Sequence, residues 1–510
     1  MKLKELKIKN FRGYKDEVSI EFKDLTVFVG QNDIGKSTVL EALDIFFNDG
    51  KNIIKLDKND INKSSLADND KNIIITGIFT ELPSSIIIDA TNTTSFSDEY
   101  LLNTNGELEI IKKYPNAGAA KIFIKARHPT NENCSNLLTL KQSDYKKIIN
   151  DNSIECENKT INAIMRKAIW KHYKDDLRQE LVEIDASKED AKNIWEKIQL
   201  YLPIYSLFQS DRKNSDSDSE VQDPLKEAVK QILKDDEIAQ KLAEVAQKVS
   251  ERLRDVSDKT LEKLNEMNPD IASSLNPIIP ASDSLSWTTV FNKVSISGDD
   301  DIPINKRGSG IKRLILLNFF RAEAERRRSS SQPIIYAFEE PETSQHTEHQ
   351  KLLINAFKDL SNKQGVQVML TTHSATVVKG LSFDNLRLIS KDNEGNKSIN
   401  TVEPNQLPYP SLNEINFIAF RHLTEEYHNE LYGFIDAEDL LSEYKTNKNK
   451  ISYNKIQRNG TINTIQIILT EYIRHQIHHP ENVNNRRYTF DELEQSINLM
   501  RQFILENRSE

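Results

Sequence analysis

The sequence predicts a mixed α/β protein built around a phosphate-binding loop, with a helical insertion and an all-α C-terminal module. Three observations carry that prediction. Gly30-Gln31-Asn32-Asp33-Ile34-Gly35-Lys36-Ser37-Thr38 fits G-x-x-x-x-G-K-[ST]. An apolar run at 25–30, suited to a buried strand, leads into it, and residues 39–47 leave it with helical periodicity. Two further apolar runs, 332–338 and 364–370, flank a helical segment at 346–362, a spacing that implies a right-handed parallel crossover.

The strand, glycine loop and helix form the context in which backbone N–H groups curl around phosphate oxygens and a helix N-terminus adds a favourable field. Lys36 is then the residue that reaches the β- and γ-phosphates, and the Ser37 hydroxyl a ligand of Mg²⁺. Gly30, Asn32, Gly35 and Thr38 complete the expected nucleotide cradle.

Composition bounds the rest. A chain of 510 residues exceeds one ordinary core, so two to four structural units are expected. Charged residues make up 29%, and Gly and Pro number only 15 each, which favours helices over turns. No apolar run reaches the length of a membrane span, so a soluble, cytoplasmic protein without membrane contact is expected. Cys134 and Cys156 have neither zinc-ligand spacing nor a disulfide framework. A net charge of -10 argues against a globally basic nucleic-acid binder, though not against a local basic groove.

Along the chain, the first 24 residues alternate apolar and polar around Arg12-Gly13 and predict two antiparallel strands. The helix after the phosphate loop should stop near Asn48-Asp49-Gly50. Residues 71–80, 107–113 and 121–125 read as strands that complete a mostly antiparallel lobe. From 143 to 268 the texture is helical and charged, interrupted by a buried strand at 201–208. Ile238, Leu242, Val245, Val249, Leu253 and Val256 recur at helical spacing, over too few heptads for a long coiled-coil arm. After 413 the chain looks wholly helical. The expected domains are 1–140, an N-terminal lobe; 141–275, a helical insertion; 276–405, a C-terminal lobe; and 406–510, a helical module.

Each strand end carries chemistry. The first run ends in Phe338-Glu339-Glu340-Pro341-Glu342, and carboxylates at a buried strand tip are expensive without a positive partner, which a magnesium nucleotide supplies. Glu339 is the candidate for holding Mg²⁺ through water, and Glu340 for polarising the attacking water. The second run ends in Thr371-Thr372-His373-Ser374, placing a histidine where it can reach a γ-phosphate or that water. Ser309 and Gly310, in a glycine-flanked stretch at 306–313 that opens a helix, form a second anion-binding arrangement. One chain then owns two half-sites, and completing either needs a second molecule.

With these motifs in order, the chain resembles the ATP-binding-cassette ATPases of the RecF/SMC and OLD-like type, the group labelled AAA-15. The matching features are the 7–14 segment containing Arg12, the 30–38 phosphate loop, the 307–311 signature, the 334–342 acidic strand end and the Thr372-His373-Ser374 switch. The resemblance implies an ATPase head using ATP and Mg²⁺, with Arg12 near the nucleotide. It also implies a homodimer, or a higher oligomer built from it, in which Ser309 of one copy reaches the nucleotide held by Lys36 of the other. Glu339 stands where many relatives have Asp, Thr343-Ser344-Gln345-His346 replaces a leucine-rich continuation, and no glutamine between the lobes is assigned. The architecture is similar to the stand-alone ATPases of bacterial anti-phage systems such as Septu and those beside retrons, which implies a co-encoded nuclease or toxin as partner.

The C-terminal stretch 463–480 reads as an amphipathic helix stopped by Pro480. Arg474 and His479 fit R-x4-H and resemble the motif of HEPN ribonucleases, which implies metal-free RNA cleavage by this pair. Thr489 and Glu492 form a capping-box start for a last helix. Three readings follow: an ATP-driven defence sensor restraining an effector, a ribonuclease in its own right, and a DNA-repair ATPase of the RecF manner. DNA or RNA is a possible partner in each.

Overall fold

The computed structural model describes residues 1–50, 54–89, 92–187, 189–209, 236–267, 332–343, 346–392, 395, 397–402, 411–457 and 460–507. The chain divides into two compact units, 1–210 with 331–510, and 211–330.

In the first unit, an antiparallel sheet begins with β1 (Lys2–Lys9), flanked by β2 (Val18–Glu21) and β4 (Asn72–Thr80). Leu3, Leu6 and Ile8 are all fully buried although Leu3 and Leu6 have opposite parity. A register shift between Leu3 and Glu5 restores them to one face. β7 (Leu108–Pro115), β8 (Lys121–Pro129) and β9 (Gln179–Asp185) extend the sheet in the order β2-β1-β4-β7-β8-β9. β5 (Ile86–Asp89) and β6 (Asn92–Thr94) make a separate hairpin. β9 corrects the expectation of an insertion that is helical up to 201. Its glutamates, Glu180 and Glu183, read as helix surface, but they belong to an edge strand whose backbone pairs with β8. The expected helical texture holds in α3 (Gln142–Asp151), α4 (Asn162–His172) and α5 (Glu189–Ile198).

The second sheet has the order β10-β11-β12-β3-β13-β14. β10 (Ile204–Phe208), β11 (Ile334–Glu339), β12 (Val366–Thr372), β3 (Leu25–Val29) and β13 (Leu386–Lys391) run parallel, and β14 (Lys397–Thr401) closes the edge antiparallel. Every residue of β3 and β12 is buried, the mark of central parallel strands covered on both faces. α7 (Thr347–Ser361) makes the expected crossover from β11 to β12, and α8 (Ala375–Lys379) follows β12.

Between the sheets lies α1 (Lys36–Asn48), with Val39, Leu40, Leu43, Ile45 and Phe46 at most 1% exposed. Such all-round burial requires a partner on each side. Tyr114 of β7 donates its hydroxyl to the Ile45 carbonyl, and Tyr205 of β10 donates to that of Leu40. Gly77 of β4 is required here, because a Cβ would come within 2.7 Å of the Phe46 ring. α2 (Lys63–Ala67) is capped by Asn62, whose side chain accepts from Ser64 and Ser65 N–H.

The C-terminal module has its own core around Phe417, Tyr427, Leu431, Ile435, Ile473, Ile497 and Met500. It contains α9 (Leu412–Phe420), α10 (Glu425–Ala437), α11 (Leu441–Tyr444), α12 (Leu469–His478) and α13 (Phe490–Asn507). It is not all-α. β15 (Lys450–Ile456) and β16 (Ile462–Ile468) form an antiparallel hairpin, so the helix expected over 463–480 starts only at Leu469. The run Ile462, Thr464, Ile465, Ile467, Ile468 is β-branched throughout and has a pairing partner, which overrides its helical periodicity. The capping box is present: Glu492 N–H donates to Thr489 Oγ1, and Thr489 N–H to Glu492 Oε2.

Of the second unit, the described part is α6 (Asp236–Met267), where the sequence places an amphipathic helix.

A buried polar chain crosses the module. His428 Nε2 is 3.0 Å from Ser496 Oγ, which lies 2.9 Å from Thr470 Oγ1, itself 2.9 Å from the Tyr444 hydroxyl. His428 Nδ1 is buried with no partner among the described residues. Burial, with the charges of Arg474 and His478 adding to it, pushes the His428 pKa down from 6.5 to about 3. The unfolded chain therefore binds this proton at a higher pH than the folded one, and stability falls as pH drops from about 6.5 towards 3. The melting temperature should drop between pH 7 and pH 4.5, and His428→Gln should flatten that dependence; a parallel decline in both proteins would show that other groups carry it.

Candidate nucleotide-binding site

β3 ends at Gly30, where a Cβ would sit 2.8 Å from the Ile389 carbonyl oxygen of β13, so only glycine lets the loop pass. Gly35 caps α1 at φ 110°, a conformation that a side chain would strain. Tyr14, at the end of the 10–14 turn, donates its hydroxyl to the Gly35 carbonyl. Gln31, Asn32 and Asp33 are exposed, and Ser37 and Thr38 are half-buried in the first turn of α1. Lys36 is buried and donates at 2.9 Å to the carbonyls of both Gly30 and Gln31. Burial lowers its pKa, and the charges of Glu340, Glu342, Asp33 and Glu339 oppose that shift.

The acidic wall comes from β11 and β12, the two strands that follow β3 on one side of the sheet. Glu339 ends β11 opposite Thr371 of β12. The chain then turns through Glu340, in the left-handed region at φ 42°, its N–H held by the Thr371 carbonyl at 3.2 Å and Thr371 Oγ1 at 3.1 Å. That turn aims Glu340 Oε2 to 3.2 Å from His373 Nδ1. Glu342 is only 2% exposed, and its Oε1 accepts from Thr372 Oγ1 at 2.6 Å and His373 N–H at 3.1 Å. Ser374 caps α8 and donates to Gln350 of α7. The structure thus brings together Lys36, Glu339, Glu340 and His373 at the C-terminal ends of three adjacent parallel strands. Glu342, which the sequence reading left without a role, organises the His373 loop.

Beside the phosphate loop opens a cavity of about 420 Å³ lined by Arg12, Gly13, Asn59, Ile61, Asn62, Lys63, Lys391, Gly395 and Lys397. Arg12 is held by ion pairs to Glu41 of α1 and, at 2.7 Å, to Asp60. Lys397, at the start of β14, crosses the Tyr14 ring and ends against Gly13 and Gly35. Burial and the neighbouring Lys391 charge lower its pKa, and Asp33 opposes them. Four cations around one hollow suit an anion. Lys397 escapes sequence reading because it follows the phosphate loop by more than 350 residues and carries no motif. Gln209 directly follows β10, the strand paired with β11, and its amide lies 3.5 Å from Glu41 Oε1. It is a candidate for the glutamine that the sequence reading left unassigned.

Ser309 and Gly310 lie outside the described residues. The C-terminal pair is described: the Arg474 guanidinium stacks 4.0 Å over the Tyr432 ring of α10. His479, past the end of α12, has its ring 6.4 Å from that of His475 and its Nδ1 3.2 Å from Glu481.

For a divalent cation, the oxygen donors near Lys36 include the Ser37 hydroxyl, the Glu339 carboxylate, and Glu342 Oε2, which is buried without a hydrogen-bond partner among the described residues. Such a set fits Mg²⁺, which keeps most of its shell as water and substrate phosphate. No cluster of three or more His, Cys, Asp or Glu side chains able to hold a metal occurs among the described residues. No helix among the described residues is long and apolar enough to cross a membrane.

The family model of the AAA ATPase domain, AAA_15, matches residues 1–378. The chain belongs to that family. No curated protein matches it. Among solved structures, it is similar to the SMC head domain from Thermotoga maritima at 13% identity, over 79% of this chain and 100% of that one, with a TM-score of 0.33. It is also similar to the Pyrococcus furiosus Smc head domain with an extended coiled coil bound to the C-terminal domain of ScpA, at 14% identity, over 78% and 96%, with a TM-score of 0.35.

Replacing Lys397 tests whether the basic hollow serves the nucleotide. Lys397→Ala should weaken ATP binding about tenfold, the worth of one charge-assisted contact, without lowering the melting temperature. Equal affinities of parent and variant in a fluorescent-nucleotide titration would remove Lys397 from the site.

Proposed function

We propose that this member of the AAA ATPase domain family is a nucleotide-gated switch of the ABC type. It binds and hydrolyses ATP between two copies, and its nucleotide state controls an associated nuclease or toxin in bacterial anti-phage defence. The observation that carries the catalytic part is the convergence of Lys36, Glu340 and His373, with Glu342 tying the switch loop to the acidic turn.

In this reading Lys36 exchanges the Gly30 and Gln31 carbonyls for β- and γ-phosphate oxygens. Ser37 and Glu339 would hold Mg²⁺, which would neutralise phosphate charge. Glu340 orients the attacking water and accepts its proton, and His373, 3.2 Å away, senses the γ-phosphate. Ser309 and Gly310 of a second copy close the site. Loss of the γ-phosphate then releases the His373 loop, and α8 behind it carries the change outward. The defence role is supported by the resemblance to stand-alone defence ATPases and by the separately cored module at 411–507, which offers a surface for an effector.

A second reading, a ribonuclease in its own right, has one observation in its favour. Glu481 faces Nδ1 of the exposed His479, a contact that orients the imidazole as proton transfer would need. Against it, Arg474 is engaged with Tyr432.

Lys36→Ala should abolish detectable ATP binding, whereas Glu340→Gln should bind ATP normally, lose hydrolysis by about a hundredfold or more, and accumulate as a dimer on size exclusion. Hydrolysis at the parental rate in Glu340→Gln would refute the base assignment. Co-expression with genomic neighbours should recover an effector whose toxicity depends on Lys36; RNA cleavage by the chain alone, lost in His479→Ala, would favour the second reading.

A further inference from the structure

We propose that the β15–β16 ribbon of the C-terminal module is a docking surface for duplex DNA, entering the major groove. The ribbon lies beyond the residues matched by the family model, and the proposal does not rest on the nucleotide reading.

Charge is the first argument. The chain carries a net charge of -10, yet residues 444–470 contain five Lys or Arg and no Asp or Glu. Lys445 is paired with Glu471 at 2.6 Å and the half-buried Lys448, at the base of the ribbon, lies 4.3 Å over the Tyr444 ring, leaving the exposed Lys450 and Lys455 along it. A cationic strip on an acidic protein attracts a polyanion.

Shape narrows the class. Two strands about 4.8 Å apart, with their side chains, fit a major groove about 12 Å wide, whereas the major groove of duplex RNA is too deep and narrow for side chains to read. One face of the ribbon is used: Tyr453 and Ile467 pack with Tyr472, and Tyr453 stacks on His475. The opposite face presents Ser452 and Gln466, cross-strand neighbours joined by a 2.9 Å hydrogen bond, with Thr464 beyond them. Hydroxyl and amide groups of this kind pair with base edges. At the tip, Ile456 and Ile462 are opposite one another and 44% and 55% exposed, apolar surface suited to thymine methyl groups.

Strand addition is the obvious rival for an exposed hairpin, and at Asn454 the β15 edge is closed to it. The Asn454 N–H donates to Asn485 Oδ1, and its carbonyl accepts from the Asn482 and Asn485 side chains. The ribbon is thereby braced and offers its polar face rather than that edge.

The test is fluorescence anisotropy of the full-length protein with a short labelled DNA duplex, repeated with duplex RNA of the same sequence, over about 50 to 200 mM salt. The parent should bind DNA more tightly than RNA. Lys448→Glu, Lys450→Glu and Lys455→Glu combined should weaken DNA binding at least about tenfold and flatten the log K against log salt slope by about three. Ser452→Ala with Gln466→Ala should keep the slope and lose preference among sequences. Lys36→Ala should bind DNA as the parent does, which separates this result from the fate of the ATPase reading. Absence of DNA binding by the parent, equal or tighter RNA binding, or parental affinity in the triple variant would overturn the proposal.

Discussion

Everything in the first unit depends on α1 being buried on two sides. A helix that is apolar around its whole circumference is stable only where two sheets cover it, and here β4 and β7 supply one and β10, β11 and β12 the other. Tyr114 and Tyr205 clamp its carbonyls from opposite directions. The helix cannot slide or rotate without breaking both contacts, so its N-terminus, and the glycine loop feeding it, has a fixed aim. The polar end of a greasy helix thus holds its N–H groups in a fixed position, with Lys36 folded over the loop, which is the arrangement the proposed phosphate contacts require.

The same geometry explains why three carboxylates are tolerated at one end of a buried sheet. Lys36 is close enough for their charges to oppose the desolvation of its ammonium group. Glu342 is stabilised by a hydroxyl and a backbone N–H, both from the His373 loop. The acidic turn and the histidine loop are consequently one object: moving His373 away from Glu340 also disturbs the Glu342 contacts. A ligand that competes for Lys36 and His373 acts on both strands at once, which is what a two-state element requires.

Much of this was legible in the sequence because the chemistry sits at strand ends, where periodicity changes abruptly. Residues 30–38, 338–342 and 371–374 are each bounded by an apolar run and a change of pattern, so both type and position could be read. Lys397 and Gln209 could not. Their importance arises from where the edge strands β14 and β10 lie in the sheet, and nothing local in either segment encodes that order. β9 was missed for a related reason, since charged edge strands and charged helices share a composition and only the pairing partner separates them.

The hairpin in the C-terminal module shows the limit more sharply. Residues 462–478 satisfy a helical stripe throughout, yet the first seven are a strand and the rest a helix, with the junction at Ile468-Leu469. Two things break the tie. β-branched residues occupy most of 462–468, and 450–456 lies one short turn away with matching apolar positions at Ile451 and Tyr453. Had 462–468 continued the helix, those isoleucines would have no hairpin face to cover, and the basic residues of 448–455 would be left on an unpaired segment. The module therefore keeps its cations on a braced ribbon instead of a flexible loop. Rigidity of that kind lowers the entropic cost of engaging a polyanion, and a purely electrostatic tether would not need it.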